Sequence, residues 1–206
     1  MLEECENLHL NKNGEGKTMK AIVIGCPGSG KSTFAKKLSK YTKTPLCYLD
    51  RLNWNADKTA VAREIFDERL SAVLQKDEWI IDGNYMRTME MRMIKADVIF
   101  LFDLPTDICI DGVCERIGKT HEDLPWIETE TDNDFINFIK NFRTESLPKI
   151  YELTEKHSNI KMIVFKSRQD AEEYLQAKKR HAEIIISAAV FIMFSILSDS
   201  DFLRFF

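Results

Sequence analysis

Gly25-Cys26-Pro27-Gly28-Ser29-Gly30-Lys31-Ser32-Thr33 is the stretch that decides the fold of this chain. It fits the pattern G-x-x-x-x-G-K-[ST], in which a glycine-rich loop wraps around nucleotide phosphates. The apolar run 21–24 before it is typical of a buried strand, and 33–38 after it is typical of a helix start. A strand, a loop and a helix N-terminus present N–H groups and a positive dipole end to an anion. The sequence therefore predicts a nucleoside triphosphate site.

The residues of this loop have separate expected tasks. Lys31 can reach the β- and γ-phosphates of ATP, and the hydroxyl of Ser32 can hold Mg²⁺. Because a thiol just before a helix N-terminus and near a lysine ionises more easily, we also expect Cys26 to be reactive. Main-chain contacts to the phosphates are expected from Gly25, Gly28, Ser29, Gly30 and Thr33.

Composition limits the class of protein. The chain has 206 residues and a net charge of −4, and it lacks the basic stripe that nucleic-acid-binding domains usually carry. We therefore expect no direct contact with nucleic acid. Its five cysteines include no C-x-x-C pair, which favours a reducing cytosol over a disulfide framework or a structural zinc site.

The two ends of the chain differ from its middle. Residues 1–18 are polar and turn-rich, and we expect a flexible extension with a natural start at Met19. Residues 19–180 carry the domain pattern, and 181–206 form a hydrophobic tail. The uncharged run 184–197 would span about 21 Å as a helix, short of a bilayer core. Three interpretations stay open: a packed helix, an interfacial anchor, or a non-native end. Membrane contact is the less favoured one.

Between these ends, apolar runs alternate with amphipathic ones. Such alternation predicts an α/β three-layer sandwich with a parallel sheet, whose ligands bind at the carboxyl ends of the strands. The predicted strands are 21–24, 45–49, 78–81, 96–102 and 160–165. The predicted helices are 61–75, 86–95, 106–117, 132–157 (bent near Pro148) and 168–180, with an irregular segment at 118–131.

Acidic residues follow three of these strands. Asp82 comes before Gly83-Asn84-Tyr85, and we expect it to meet Mg²⁺ through water or to orient an acceptor hydroxyl. Asp50 follows the second strand and is expected at the acceptor. Asp103 follows the fourth strand and is the weaker candidate, since any such carboxylate can also cap a helix.

Three arginines are candidates for stabilising the transferred phosphoryl group. Arg116 precedes the irregular segment, Arg92 follows Asp82 by ten residues, and Arg143 lies in the long helix. Electrostatic clamping of phosphoryl oxygens is the chemistry they would supply, although each could be a surface ion pair. We expect 118–123 to form a lid that keeps water from the reaction.

Longer motifs carry a resemblance to a known group. The chain resembles the adenylate kinase-related P-loop kinases, and most closely the group called topology modulation proteins. The similarity covers residues 19–175. Besides the loop at 25–33, it rests on Leu49-Asp50-Arg51-Leu52-Asn53-Trp54, Trp79-Ile80-Ile81-Asp82-Gly83-Asn84-Tyr85, Arg92-Met93-Ile94-Lys95-Ala96-Asp97, Cys114-Glu115-Arg116 and Lys166-Ser167-Arg168.

This resemblance implies a P-loop NTPase fold with strand order 2-3-1-4-5, an acceptor region after the second strand and a short lid. It places Arg168 at the nucleotide and Asp82 where adenylate kinases have the aspartate of D-G-F-P-R. Here that motif reads D-G-N-Y-M, which argues against AMP as the acceptor. We expect the acceptor site to contain Asp50, Asn84, Tyr85 and Arg143.

Two function classes compete. The leading hypothesis is a kinase that transfers phosphate from ATP–Mg²⁺ to a nucleotide, nucleoside or similar small hydroxylated acceptor, with Lys31, Asp82, Arg116 and Arg92 as catalytic residues. The alternative is a non-catalytic or regulatory ATP-binding protein, linked to nucleic acid or membrane. A GTPase switch is disfavoured, because no N-K-x-D motif follows the P-loop.

Overall fold

A computed structural model describes residues 18–180 of the chain. Five parallel strands form one sheet in the order β2-β3-β1-β4-β5, which confirms the predicted topology. The strands are β1 Lys20–Gly25, β2 Leu46–Tyr48, β3 Trp79–Asp82, β4 Val98–Phe102 and β5 Lys161–Phe165. The predicted extension, apart from Thr18, and the predicted tail lie outside the described residues, so those assignments stay predictions.

The burial of each strand follows from its place in the sheet. The three central strands are buried at nearly every position, because helices cover both faces of a parallel sheet. The register sets Val23 of β1 opposite Asp82 of β3 and opposite Phe100 of β4. Asp82 therefore ends its strand directly beside the strand that leads into the glycine loop.

Helices connect the strands. They are α1 Lys31–Thr42, α2 Leu49–Asn53, α3 Arg63–Leu74, α4 Met89–Met93, α5 Thr106–Cys114, α6 Asn133–Asn141 and α7 Leu147–Lys156, followed by a helix, α8, that is described over 168–180. The sequence analysis missed α2, because five residues are too few to show a helical period. A 3₁₀ turn at Met86–Thr88 replaces the first part of the predicted helix 86–95.

An aromatic cluster fixes α1 to the sheet. The ring of Phe34 lies 5.0 Å from that of Phe100, 5.4 Å from Phe102 and 5.1 Å from Phe165. Tilted aromatic pairs at these distances add to the stabilisation from burial. Since α1 starts at Lys31, this cluster also fixes the end of the glycine loop.

The helix predicted over 132–157, with a bend near Pro148, is observed as a continuous helical run over 133–156 with an irregular turn just before that proline. A π-helical turn at Phe142–Ser146 separates α6 from α7, and Pro148 lies in the first turn of α7. Proline lacks an N–H, and its ring collides with the carbonyl four residues earlier in a regular helix. The wider π turn contains the residue four positions before Pro148 and so accommodates the proline ring.

By its contacts, the described part of the chain divides into two units, one that ends at Arg168 and one that begins at Gln169. Every residue of the site described below belongs to the first unit. Over residues 18–180, none of the helices has both the length and the apolar character required to cross a membrane.

Candidate active site

The glycine loop connects β1 to α1 with a tight turn. Gly28 and Gly30 have φ angles of 78° and 98°, in the left-handed region that glycine adopts without strain. Gly28 has a second reason: a Cβ atom there would come within 1.9 Å of the Cys109 carbonyl oxygen on α5. The buried hydroxyl of Ser29 has no hydrogen-bond partner within the described protein. Such an orphaned polar group in a glycine cradle fits a bound phosphate.

Arg168 lies against this loop. Its Nη2 donates to the Gly28 carbonyl at 2.9 Å, and its side chain lies 3.7 Å from the Cβ position of Gly30. Its Nη1 is 3.9 Å from a Glu115 carboxylate oxygen. A cation that reaches the loop from the segment after β5 occupies the position expected for nucleotide contact. The assignment of Arg168 to the nucleotide stays a prediction.

Lys31, Ser32 and Asp82 come together at the end of the loop. Burial raises the pKa of Asp82 to about 6, and the nearby Lys31 ammonium and a hydrogen bond with Ser32 oppose that shift. Asp82 is 4% exposed, and its Oδ1 has no hydrogen-bond partner within the described residues. A hydroxyl, a carboxylate and ATP phosphates are the oxygen ligands that Mg²⁺ prefers, so these residues fit that ion.

Among the described residues, no group of three His, Cys, Asp or Glu side chains is arranged to hold a metal ion. The ion of a P-loop site needs no such group, since Mg²⁺ keeps several waters and takes phosphate oxygens as ligands. The fit therefore rests on Ser32 and Asp82.

Asp50 and Tyr85 form a pair opposite the loop. The Tyr85 hydroxyl donates to Asp50 Oδ1 at 2.8 Å, and its ring stacks on Phe66 at 5.2 Å. Burial raises the pKa of Asp50, while the hydrogen bond from Tyr85 and the Lys31 charge partly offset this. Asp50 lies in the first turn of α2. The carboxylate is thus held in a fixed position and made more basic than usual.

Asn84 pairs with the first glycine of the loop. Its Oδ1 accepts from the Gly25 N–H at 3.0 Å, and its Nδ2 donates to the Gly25 carbonyl at 2.9 Å. Both ends of the amide are therefore used by main chain. Asn84 lines the cavity described below, as the acceptor prediction requires, but its polar groups tie the segment after β3 to the loop.

Arg92 is placed differently from its prediction as a catalytic residue. It is fully buried, and its guanidinium donates to the carbonyls of Gly83 at 2.9 Å, Tyr85 at 3.2 Å and also Asn84. Burial lowers its pKa to about 9. Because these donors bind the carbonyls of three consecutive residues, Arg92 holds the D-G-N-Y segment in place. This explains how Tyr85 keeps a left-handed φ of 38°. We therefore assign Arg92 no phosphate contact.

Arg116 is engaged by two carboxylates. Its Nη1 and Nη2 bind Asp123 at 3.0 and 3.1 Å, and its Nε binds Glu128 at 3.0 Å. Burial alone would raise the pKa of Asp123, but Arg116 outweighs it and holds the pKa below its usual range. Arg116 lines the cavity, but its guanidinium is occupied by these two carboxylates, and its predicted role at the phosphoryl group stays a prediction.

The predicted lid, 118–123, lies within an irregular segment, 115–132, that has neither helix nor regular strand. Lys36 of α1 pairs with the Glu122 carboxylate at 2.6 Å, and Arg51 of α2 donates to the Glu122 carbonyl at 2.8 Å. The Arg116 network holds the segment internally. It is therefore tied to α1, the helix that follows the phosphate loop, and to α2.

Arg143 and Asp103 pair with each other away from Lys31. An Arg143 nitrogen lies 3.4 Å from Asp103 Oδ1, and Lys166 and Tyr151 donate to Oδ2 of the same carboxylate. Arg143 is absent from the described lining of the cavity, which corrects its placement at the acceptor. Its partner comes from a strand end forty residues earlier, and the spacing of the sequence does not show that contact.

Cys26 also corrects a prediction. Its side chain is 3% exposed and packs in the interior, with Sγ 3.9 Å from the Ile139 carbonyl. A hydrogen bond with Cys109 and burial raise the pKa of the Cys26 thiol, and the opposing Lys31 charge is weaker. Proximity to the helix N-terminus does not make this thiol reactive, because it points into the protein rather than toward the phosphates.

A cavity of about 590 Å³ opens beside Lys31. Among the described residues, its walls include Asp50, Tyr85, Arg116, Trp54 and Trp126. The two indole rings stand nearly perpendicular, at 88°, with centroids 5.9 Å apart. The sequence predicts no role for either tryptophan. Trp54 belongs to one of the motifs that carry the family resemblance, but Trp126 lies in a polar segment that has no periodic signal.

Solved structures with a similar fold include a shikimate kinase and a gluconokinase. The shikimate kinase from Acinetobacter baumannii, in complex with shikimate, is 12% identical and matches 84% of this chain and 96% of its own, with a TM-score of 0.51. A gluconokinase from Sinorhizobium meliloti 1021 is 10% identical over 85% of this chain and 97% of its own, with a TM-score of 0.48. No known family profile matches the sequence. The fold is that of the P-loop kinases.

Proposed function

We propose that the protein transfers the γ-phosphoryl group of ATP to a hydroxyl of a small acceptor. The observation that carries this proposal is the cavity that starts at Lys31 and continues past Asp50 to Trp126. A protein that only binds a nucleotide needs no cavity of about 590 Å³ that extends from its phosphate loop to Asp50 and Trp126. Pockets of this size hold a small molecule.

The donor half of the site consists of the glycine loop and its neighbours. Main-chain groups of the loop and Lys31 hold the phosphates, and Arg168 contacts the nucleotide from the other side of the loop. Ser32 and Asp82 hold Mg²⁺, which when bound neutralises charge on the transferring phosphoryl group. The orphaned Oδ1 of Asp82 is the atom that gains a partner in this arrangement.

Asp50 is the proposed group at the acceptor hydroxyl. Tyr85 occupies its Oδ1 at 2.8 Å, and we assign the second oxygen to the acceptor. Burial raises the pKa of Asp50, which improves it as an acceptor of the hydroxyl proton. Proton acceptance adds to catalysis that rests mainly on positioning and charge stabilisation.

Arg116 and the segment 115–132 complete the site. Because Asp123 and Glu128 occupy the guanidinium, the proposed role of Arg116 is to keep this cover folded over the cavity. A cover that excludes water protects the phosphoryl group from hydrolysis. Membership of the topology modulation group, cytosolic location and the absence of nucleic-acid contact remain part of the proposal.

The test is ADP release from ATP–Mg²⁺ across a panel of nucleosides, nucleotides and small hydroxylated metabolites. Lys31→Ala should lower acceptor-dependent turnover by roughly 10³-fold, since it removes the charge at the phosphates. Lys40→Ala is the matched control, because Lys40 is an exposed lysine farther along the same helix. Slow ATP turnover that no acceptor changes would support the non-catalytic alternative, and full activity in Lys31→Ala would overturn the site.

A further inference from the structure

The charge of the cavity points to the kind of acceptor it takes, if the proposed transfer to a hydroxyl is correct. Apart from Lys31, which serves the phosphates, the described lining has two cations, Lys58 and Arg116. It has five carboxylates: Asp50, Asp123, Glu128, Glu130 and Asp132. The acceptor half of the cavity is therefore acidic even though it lies next to a phosphate-binding loop.

The two cations leave little for an anionic acceptor to bind. Arg116 already makes a bidentate pair with Asp123 and a third bond to Glu128. Lys58 lies in an exposed turn, where a strongly hydrated ammonium binds weakly. The other two arginines considered for the site are engaged elsewhere, Arg92 with main-chain carbonyls and Arg143 with Asp103. A phosphate or carboxylate on the acceptor would enter an acidic cavity without a ready arginine partner.

The aromatic wall supports the opposite charge. Trp54 and Trp126 form a perpendicular corner with centroids 5.9 Å apart, and Tyr85 also lines the cavity. The faces of indole rings attract organic cations, and this attraction grows when the site excludes water. Asp123 and Glu128 are paired with Arg116, so among the outer lining carboxylates Glu130 and Asp132 provide the hydrogen-bond acceptors for an ammonium group.

We propose that the acceptor carries a protonated amine as well as the hydroxyl that receives the phosphoryl group. The hydroxyl contacts Asp50 next to Lys31. The ammonium lies toward the rings of Trp54 and Trp126 and toward the carboxylates of Glu130 and Asp132. Phosphoryl transfer then forms a phosphate ester and ADP, and the hydroxyl proton passes to Asp50. The acidic lining excludes nucleoside monophosphates and sugar acids by charge repulsion.

Two triads of compounds that differ in charge test this proposal. The first is glucosamine, glucose and glucuronate, and the second is tyramine, tyrosol and 4-hydroxyphenylacetate. Calorimetry with a non-hydrolysable ATP analogue and Mg²⁺ measures binding, and ADP release measures transfer separately. We expect the amine of at least one triad to bind tenfold or more tightly than its neutral and anionic partners, with a preference that weakens at high salt.

A charge reversal in the lining sharpens the test. Glu130→Lys should cut the preference for the amine by about tenfold, because one ionic contact becomes a repulsion. Glu130 is exposed, so the change leaves the Arg116 network in place. Glu68→Lys on the exposed face of α3 is the control for the same change in net charge.

The outcomes separate this inference from the proposed function. Transfer to a neutral or anionic compound with no preference for the amine would overturn the inference and keep the kinase. Tight amine binding without ADP release would keep the inference and count against the kinase. Failure of both amines to bind more tightly than their partners would also overturn the inference.

Discussion

An aspartate lies at the end of the strand on each side of the phosphate loop, but the two aspartates have different partners. On the β3 side, Asp82 ends its strand with one carboxylate oxygen that has no hydrogen-bond partner among the described residues. On the β4 side, Asp103 also has one oxygen, Oδ1, without a hydrogen-bond partner among the described residues, but an Arg143 nitrogen lies 3.4 Å from it, and Lys166 and Tyr151 donate to Oδ2. Both aspartates are about equally buried, at 4% and 5% exposed. The difference lies in their partners rather than in their depth.

This contrast indicates where the chemistry is. A buried carboxylate without full compensation destabilises the fold, and such sites persist where function requires them. The β4 side is closed by protein: α5 lies so near that a Cβ atom on Gly28 would meet the Cys109 carbonyl at 1.9 Å. The β3 side instead leads to the cavity beside Lys31. One side of the loop therefore supports it, and the other faces the reaction.

The strongest way to break this comparison is to remove each carboxylate in turn. Asp82→Asn should lower turnover by roughly 10²-fold or more while ATP still binds, because the charge that supports Mg²⁺ is lost. Asp103→Asn should change turnover by less than about threefold, because that carboxylate only pairs with protein groups. Steady-state kinetics with ATP–Mg²⁺ and the best acceptor measure both. Similar losses in the two variants would remove the functional distinction between the two sides.

The sequence predicted the features that depend on neighbouring residues and missed those that depend on contacts between residues far apart in the chain. Motif and hydrophobic pattern predicted the loop at 25–33, the five strands and the position of Asp82 at a strand end, because neighbouring residues determine each of these features. Arg92 was predicted to be a phosphate ligand. Its actual bonds, to the carbonyls of 83–85, could not be predicted because they depend on how the segment after β3 folds back.

The same reason accounts for the thiol and the cavity wall. The prediction that Cys26 is reactive rested on the helix N-terminus next to it. The residues that it contacts, Cys109 and Ile139, lie more than eighty positions away in the sequence. Trp126 meets Trp54 across seventy residues of chain. Nothing local in either stretch signals these contacts, and tertiary packing decides them.

A second test compares the melting temperatures of the same two variants without nucleotide. Burial holds the pKa of Asp82 at about 6, against an ordinary value of 3.8. As pH rises from 3.8 to 6, the unfolded chain loses this proton first, so the wild type loses up to about 3 kcal/mol of stability. Asp82→Asn removes that loss and should melt several degrees higher at pH 7, with no gain near pH 4.

Asp103→Asn should shift the melting temperature in the opposite direction. It weakens hydrogen bonds from Lys166 and Tyr151 to a buried carboxylate, and the expected cost is about 1–2 kcal/mol. Thermal unfolding followed by circular dichroism at pH 4 and pH 7 measures all four cases. A lower melting temperature for Asp82→Asn at pH 7 would mean that the fold stabilises its carboxylate, and the two aspartates would then not differ in this respect.

The smallest expected effect concerns the closed side of the loop. Cys26 is buried and its pKa is raised, whereas Cys114 at the end of α5 is exposed. Iodoacetamide should therefore label Cys114 first and Cys26 at least about tenfold more slowly, since the thiolate is the reacting form. Because burial limits the reaction, ATP–Mg²⁺ should change the Cys26 rate little. Peptide mass spectrometry over a labelling time course gives each rate. Labelling of Cys26 that is as fast as that of Cys114, and that nucleotide blocks, would place the thiol at the phosphates and show that the β4 side is open as well.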